Sequence, residues 1–362
     1  MKTYSNTRAT LAMAKASFRS IVRSPSAVVF SLAFPLIFII VFGLIGRGSM
    51  RVDVGISSKS DTLNPVYLSM KGVDAIRLIH QTDKEMTEDL IKGRIDAILD
   101  IQKNGGMPAY LVNVQYSEAS GEKGGIIKSI LSNLIAPLNN TDLQVKPTVA
   151  EIRETVIKGR EYKTIDFILP GQLGFSLLSS GVFGTAFVFL SLRLTLVIKR
   201  FFATPVKRSS IVIGEALARI VFSLIGALFI ILIGHFAFGF TLIHGVFTVL
   251  QMLFLSVIGL IVFMGFGFVV SGIAKNESTI PPIANMITLP QFLLSGTFFS
   301  IDVFPKWLQP ISRALPLTYL NDAMRKVAFE GASLWEVNHQ ILILFGWGIL
   351  IYAVAVKTFK WE

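Results

Sequence analysis

The chain has no cysteine, and only 16% of its residues are charged. The first absence excludes disulfides, thiolate metal ligands, iron–sulfur ligation and cysteine nucleophiles. The second sets the chain apart from soluble domains, of which about 25% of residues carry charge. Histidine is scarce as well. His80, His235, His244 and His339 are scattered, with no metal-ligand spacing among them. A phosphate loop ending in Gly-Lys-Ser/Thr is also missing. Gly121–Ser129 comes nearest, but two isoleucines separate Gly125 from Lys128, so backbone amides and lysine do not converge on phosphates. The chain is therefore expected to hold no catalytic residues, no metal and no cofactor of its own.

What the sequence has in abundance is apolar: 52% of its 362 residues are hydrophobic and the mean hydropathy is +0.63. A bilayer core about 30 Å thick needs roughly 20 apolar residues in a helix. Six stretches meet or approach that length: Ser26–Gly46, Phe167–Leu192, Ser209–Phe240, His244–Ala274, Thr279–Ile301 and Ile341–Val356. Pro35 in the first, and Pro281, Pro282 and Pro290 around the fifth, predict kinked or broken helices. Ser26–Gly46 exceeds a signal-peptide core, and Ile45-Gly46-Arg47 is no cleavage site, so the first span reads as a signal anchor.

The net charge is +11, and nearly all the excess sits in two short segments. Residues 1–25 carry Lys2, Arg8, Lys15, Arg19 and Arg23, and residues 193–208 carry Arg193, Lys199, Arg200, Lys207 and Arg208, with no acidic residue in either. Both are expected on the cytoplasmic side, which gives six spans with both termini inside. No soluble domain is basic, so nucleic acid is not an expected partner. Residues 7–23 place Leu11, Ala14, Phe18 and Ile21/Val22 on one helical face and Lys15, Arg19 and Arg23 on another. This predicts an amphipathic helix in the inner interface, attracted by anionic membrane lipid.

Between the first two spans, residues 47–165 carry 16 Lys and Arg against 15 Asp and Glu, the balance of a soluble surface. Val52–Ile56, Ala75–Ile79, Ala97–Ile101 and Tyr110–Tyr116 read as strands. Asp83–Lys92 reads as a helix capped by Thr82, with Met86, Leu90 and Ile91 inward, and Gly125–Leu138 as a second helix. The expected fold class is a polytopic α-helical membrane protein, six transmembrane helices with an inserted extracytoplasmic α/β domain. Its parts are an interfacial helix (1–25), a first span (26–46), the outer domain (47–165) and a five-span region (166–362). The last contains a cytoplasmic segment (193–208) and an outer re-entrant or interfacial stretch (302–320).

Polar residues inside the spans are few. Glu215 and Arg219 on the third are four apart, a spacing that permits an ion pair; the alternative is substrate contact. The other spans have no Asp, Glu, Lys or Arg in their cores, which argues against a proton- or sodium-coupled carrier. Gln172, Ser176 and Ser179 on the second span, and Asn285, Thr288, Gln291 and Ser295 on the fifth, either line a pathway or bond between helices.

Several stretches resemble the permease subunit of ABC type-2 exporters, in the subgroup with a large outer domain after the first span. They are Asp166-Phe167-Ile168-Leu169-Pro170-Gly171, Phe201-Phe202-Ala203-Thr204-Pro205-Val206 with Gly214-Glu215, Leu294-Ser295-Gly296-Thr297-Phe298-Phe299, Pro305–Gln309, Leu315–Leu320 and Asp322-Ala323-Met324-Arg325. One departure stands out. Where the family has Glu-Arg-x-x-Gly-Thr before its coupling segment, this chain keeps Arg193 but has Leu192, Leu196 and Val197. The resemblance implies two paired permease protomers, identical or different, above two cytoplasmic ABC ATPase subunits that carry ATP and Mg. Candidate ATPase contacts are Arg19, Arg23, Arg193, Lys199, Arg200, Thr204 and Pro205. The expected function is outward movement of an amphipathic, lipid-linked or drug-like substrate across a bacterial cytoplasmic membrane. The alternative is a non-transporting scaffold or receptor whose outer domain binds an envelope partner.

Overall fold

Apolar runs of helix length and a charge-balanced stretch segregate on folding. A computed structural model of the chain describes residues 5–23, 33–41, 52–73, 75–117, 121–139, 150–157, 163–196 and 206–359. It divides into a helical unit, residues 1–46 with 165–362, and a second unit, residues 47–164. The helical unit opens with α1 (Asn6–Val22) and α2 (33–41).

The second unit runs β1 (Val52–Ile56), α3 (Pro65–Lys71), β2 (Ile76–Ile79), α4 (Asp83–Ile91), β3 (Ala97–Lys103), β4 (Tyr110–Ser117), α5 (Gly121–Asn139) and β5 (Ala150–Ile157). The sheet order is β2-β1-β3-β4-β5; β1 is parallel to β2 and β3, β3 antiparallel to β4, and β4 parallel to β5. Alternation along β3 makes both faces apolar. Ala97, Leu99 and Ile101 join Val66 and Met70 of α3 and Ile127 and Leu131 of α5, while Ile98 joins Met86 and Leu90 of α4. Helices thus cover both sides of a largely parallel sheet. Thr82 and Glu85 close a capping box on α4. Ile91, expected inward, is 40% exposed, because the i, i+4 pair Met86–Leu90 alone faces the sheet. Gly121–Ser129 lies within α5, a helix and not a phosphate loop. Two elements lay outside the sequence reading. α3 has only seven residues. β5 (Ala-Glu-Ile-Arg-Glu-Thr-Val-Ile) is charged enough to read as a solvated face, yet it pairs with β4 along its full length as an edge strand.

The helical unit resumes with α6 (Thr164–Leu194), α7 (Arg208–Phe238), α8 (Val246–Ile273), α9 (Ile280–Leu294), α10 (Gln309–Ala314), α11 (Pro316–Arg325) and α12 (Asn338–Thr358). Among the described residues four helices, α6, α7, α8 and α12, are long and apolar enough to cross a membrane. α8 is apolar on every side and 78% buried over its most hydrophobic stretch, against 17% for α12. It is the central helix, and α12 packs outside it, with Tyr352 Oη donating to Ile261 O at 3.0 Å.

α9, within the fifth expected span, is too short to cross a membrane as one rod. Its fifteen residues span about 22 Å, short of the roughly 30 Å core. Pro281 and Pro282 open it, Pro290 removes an internal donor, and the chain turns at Gly296, whose φ is +68. The first expected span, Ser26–Gly46, is described only over 33–41. Within the stretch 302–320 one short helix is Gln309–Ala314, with Ile311 49% exposed. Pro310 fits only its first turn, and Pro316 starts the next helix.

Candidate functional site

The packing of α1 on α7 defines one end of the helical unit. At Gly214 a β-carbon would stand 2.8 Å from Met13 Cβ and 3.1 Å from Thr10 O, so α1 rests directly on the α7 backbone. This revises the expected face of α1. Ile21 is buried, and Met13, Ala14, Ser17 and Phe18 are half-buried, but Leu11 is 64% and Val22 49% exposed. Sequence periodicity finds an apolar stripe but does not tell which of its residues α7 covers. Arg19 and Arg23 are exposed. Arg193 is half-buried, and its Nη2 donates to Ala274 O at 2.6 Å, tying the end of α6 to the residue capping α8. Lys199, Arg200, Thr204 and Pro205 lie outside the described residues.

One residue beyond Gly214 begins a buried ionic group. Arg219 Nη2 meets Glu215 Oε1 at 2.6 Å, with side-chain exposures of 5% and 4%. Arg219 Nη1 also donates to Ser180 O at 3.3 Å, and the Ser180 and Ser223 hydroxyls lie 3.1 Å apart. Ser180–Gly184 forms a π-helical turn inside α6, and such turns loosen the backbone ladder and expose carbonyls to other donors. Gly184 makes room for the cation, since a β-carbon there would overlap Arg219 Nη1. The pair therefore joins α7 to the irregular turn of α6.

At the other end of α6 a second polar group gathers. Asp166 is fully buried and accepts from Thr241 N at 2.7 Å and Thr241 Oγ1 at 3.1 Å. The next residue, Phe167, offers its carbonyl to Arg325 Nε at 3.1 Å and Nη2 at 3.0 Å. Arg325 Nη2 reaches Gly296 O at 2.5 Å, and its Cζ stands 3.6 Å from the Phe167 ring centroid. Asn321 Nδ2 donates to Ser295 O at 3.2 Å. Three stretches far apart in sequence, Asp166–Gly171, Leu294–Phe299 and Asp322–Arg325, thus meet at one place. Sequence reasoning did not select Asp166, Asn321 or Arg325 as site residues. Their only sequence signal was membership in, or next to, those stretches.

The polar residues expected on the second and fifth spans differ in exposure. Gln172, Thr288, Gln291 and Ser295 are buried, Ser176 and Ser179 are half-buried, and Asn285 is exposed. At 100° per residue Asn285 sits about 60° round from Thr288 on α9, on the outer edge of its packed face. Both amide atoms of Gln172 lack a partner among the described residues. Between α6 and α9 the contact is aromatic: Phe175 and Phe292 centroids are 3.9 Å apart, with Phe34, Phe38 and Phe298 around them. Among the described residues no three His, Cys, Asp or Glu gather as metal ligands.

Comparison with known proteins agrees with this architecture. The family profile described as "ABC-2 family transporter protein" matches residues 25–357. The chain is 23% identical over 369 residues to ABC transporter G family member 20 of Dictyostelium discoideum, covering 96% of this chain and 50% of that one. It therefore spans half the length of that relative. Linearmycin resistance permease protein LnrN of Bacillus subtilis (strain 168) is 21% identical over 381 residues, covering 94% and 96%. Probable multidrug ABC transporter permease YbhS of Escherichia coli (strain K12) is 19% identical over 330 residues, covering 86% of each. The match runs through the inserted unit and the helices alike, and on that extent the chain belongs to the ABC-2 transporter family as a multi-pass membrane protein.

Proposed function

We propose that this chain is the permease subunit of an ABC exporter that moves an amphipathic, lipid-linked or drug-like molecule outward. ATP binding and hydrolysis then belong to separate cytoplasmic ATPase subunits, and a second permease protomer, identical or different, completes the pathway. In this reading α2 belongs to a first span and α9 completes the fifth crossing with the turn beyond it. Residues 47–164 lie outside the cytoplasm, and both termini lie within it. The setting is a bacterial inner membrane. The names of two relatives, a linearmycin resistance permease and a probable multidrug permease, support a drug-like cargo.

The observation that carries the proposal is the mounting of α1. A helix with exposed Arg19 and Arg23 is held on α7 at Gly214, one residue from the buried Glu215–Arg219 pair. A soluble ATPase with an acidic rim that grips α1 and the 193–208 loop would pull on α7 and, through Arg219, on the π turn of α6. Co-purification from native membranes tests this. Deletion of 193–208, or the combined Arg19→Glu, Arg23→Glu, Lys199→Glu and Arg200→Glu change, is expected to abolish recovery of an ATPase. Undiminished ATPase recovery with the charge-reversed protein, monodisperse on gel filtration, would sink the docking assignment.

A further inference from the structure

The sheet of the α/β unit has two edges, and they are not alike. β2 is four residues long, with Ile76 buried and Arg77, Leu78 and Ile79 half-buried. β5 is eight residues long, and Glu151, Arg153, Glu154, Thr155 and Val156 are exposed. It pairs with β4 without a bulge from Ala150 to Ile157, and among the described residues no strand lies on its other side. Edge strands are ordinarily protected by proline, lysine, a bulge or short length. β5 has none of the four. Every second residue along it turns its N–H and C=O away from β4, where another strand can take them.

The charges of β5 show which strand fits. Glu154 shares a face with Ile152, and Lys128 of α5 holds it at 3.0 Å. Glu151 and Arg153 lie on the opposite face, both exposed and neither ion-paired among the described residues. Antiparallel pairing of two copies about a two-fold axis sets one residue against its own copy, and residues equally far on either side against each other. With Glu151, Arg153 or Glu154 on the axis, like charges meet. With Ile152 on the axis, the two isoleucines meet, Glu151 faces the partner's Arg153, and Arg153 faces the partner's Glu151. No other axis position within β5 sets opposite charges of the strand against each other. Each such pair strengthens strand association by up to about fivefold.

We propose that β5 is a docking edge for a second copy of this chain, which adds its own β5 antiparallel about Ile152 and joins the two sheets into one. The two Glu151–Arg153 pairs fix the register. The assignment rests on the paired-permease reading and commits it to identical protomers. One strand pair is small beside a standard interface of about 1,600 Å². The edge therefore acts between chains that the membrane already holds together, where the effective concentration is in the millimolar range.

The chain has no cysteine, so one introduced thiol reports the pairing. Residues on the axis face each other with Cα atoms about 4.5–5.5 Å apart, within disulfide range. The full-length Ile152→Cys protein in membranes should therefore form a disulfide-linked dimer on mild oxidation. Val156→Cys, four residues from the axis, stands about 27 Å from its copy and should not. In the Ile152→Cys background, Arg153→Glu sets like charges together and should slow cross-linking at least tenfold. Glu151→Arg/Arg153→Glu exchanges the charges and should restore it. Equal cross-linking of Ile152→Cys and Val156→Cys would overturn the proposal, as would failure of the exchanged pair to restore the rate. Light scattering of the full chain in detergent separates the two readings. A dimeric mass without the Ile152→Cys cross-link would overturn the β5 edge and leave the paired permease standing, whereas a monomeric mass without it would overturn both.

Discussion

Removal of the Arg219 side chain should be far more damaging than neutralisation of the whole pair. In Arg219→Ala the Glu215 carboxylate, 4% exposed and bonded at 2.6 Å to the lost guanidinium, is left without its counter-ion, and Ser180 O loses a donor. Breaking one side of a buried pair costs about 3–5 kcal/mol, most of it the penalty on the stranded charge. In Glu215→Gln/Arg219→Gln no charge is stranded, and the loss is limited to one or two ordinary hydrogen bonds, about 1 kcal/mol each. Equilibrium unfolding of the full chain in lipid bicelles is the assay, run as a double-mutant cycle. The single changes Glu215→Gln and Arg219→Gln should sum to at least about 2 kcal/mol more than the double change, a coupling typical of residues in direct contact. Additive losses, or an Arg219→Ala protein within about 1 kcal/mol of the parent, would refute the view that this pair is a desolvated unit joining α7 to α6.

Three further outcomes follow from the same geometry. Gly184→Ala places a methyl group on the Arg219 guanidinium and should destabilise the bundle by about 1–3 kcal/mol; in an Arg219→Gln background the cost should shrink, as unfolding in bicelles will show. Arg325→Lys keeps the charge but lacks the fork that reaches Phe167 O and Gly296 O together. Amide exchange in the 295–299 turn should rise at least tenfold, and an unchanged rate would deny Arg325 its tie. In the α/β unit, the backbone N–H and then the hydroxyl of Ser58 hold the Asp83 carboxyl below its ordinary value, and the Thr82 hydroxyl and then its N–H do the same for Glu85. A lowered folded pKa stabilises fully above the unfolded value, near pH 4, and the benefit fades as pH falls through the folded one. The protection factors of α4 amides, taken relative to intrinsic exchange at each pH, should therefore fall below about pH 4, and Asp83→Asn should flatten that response.

Much of the fold is readable from local chemistry. The long apolar run of α8 requires a helix inside a membrane or among other helices, and Pro281, Pro282 and Pro290 already predict a kinked or broken helix in the fifth expected span. Ala97–Lys103 declares a strand by its alternation, although its neighbours in the sheet do not follow from it. β5 shows where such reading fails: four charged or hydroxyl-bearing side chains among eight positions look like a solvated face, and only the vacant edge of β4 makes them a strand. α1 fails differently. Its apolar residues were assigned to one face, but packing buries Ile21 and half-buries Met13, Ala14 and Phe18, which leaves Leu11 and Val22 outward.

The candidate sites divide along the same line. Glu215 and Arg219 are four residues apart on one helix, so their capacity to pair was local information. That the cation also clasps the π turn at Ser180 was not, because the partner lies 39 residues away. Arg325 is further still from local inference, since it grips a carbonyl 158 residues upstream and another 29 residues upstream. The sequence by itself determined the class of molecule: apolar length requires a membrane, the missing Cys and phosphate loop exclude several chemistries, and two basic segments set the expected orientation. The tertiary structure decided which polar groups are partnered. Hydrogen bonds and ion pairs depend on ångström-scale approach between helices, and in a bundle that approach is set by side-chain volume at positions such as Gly184 and Gly214.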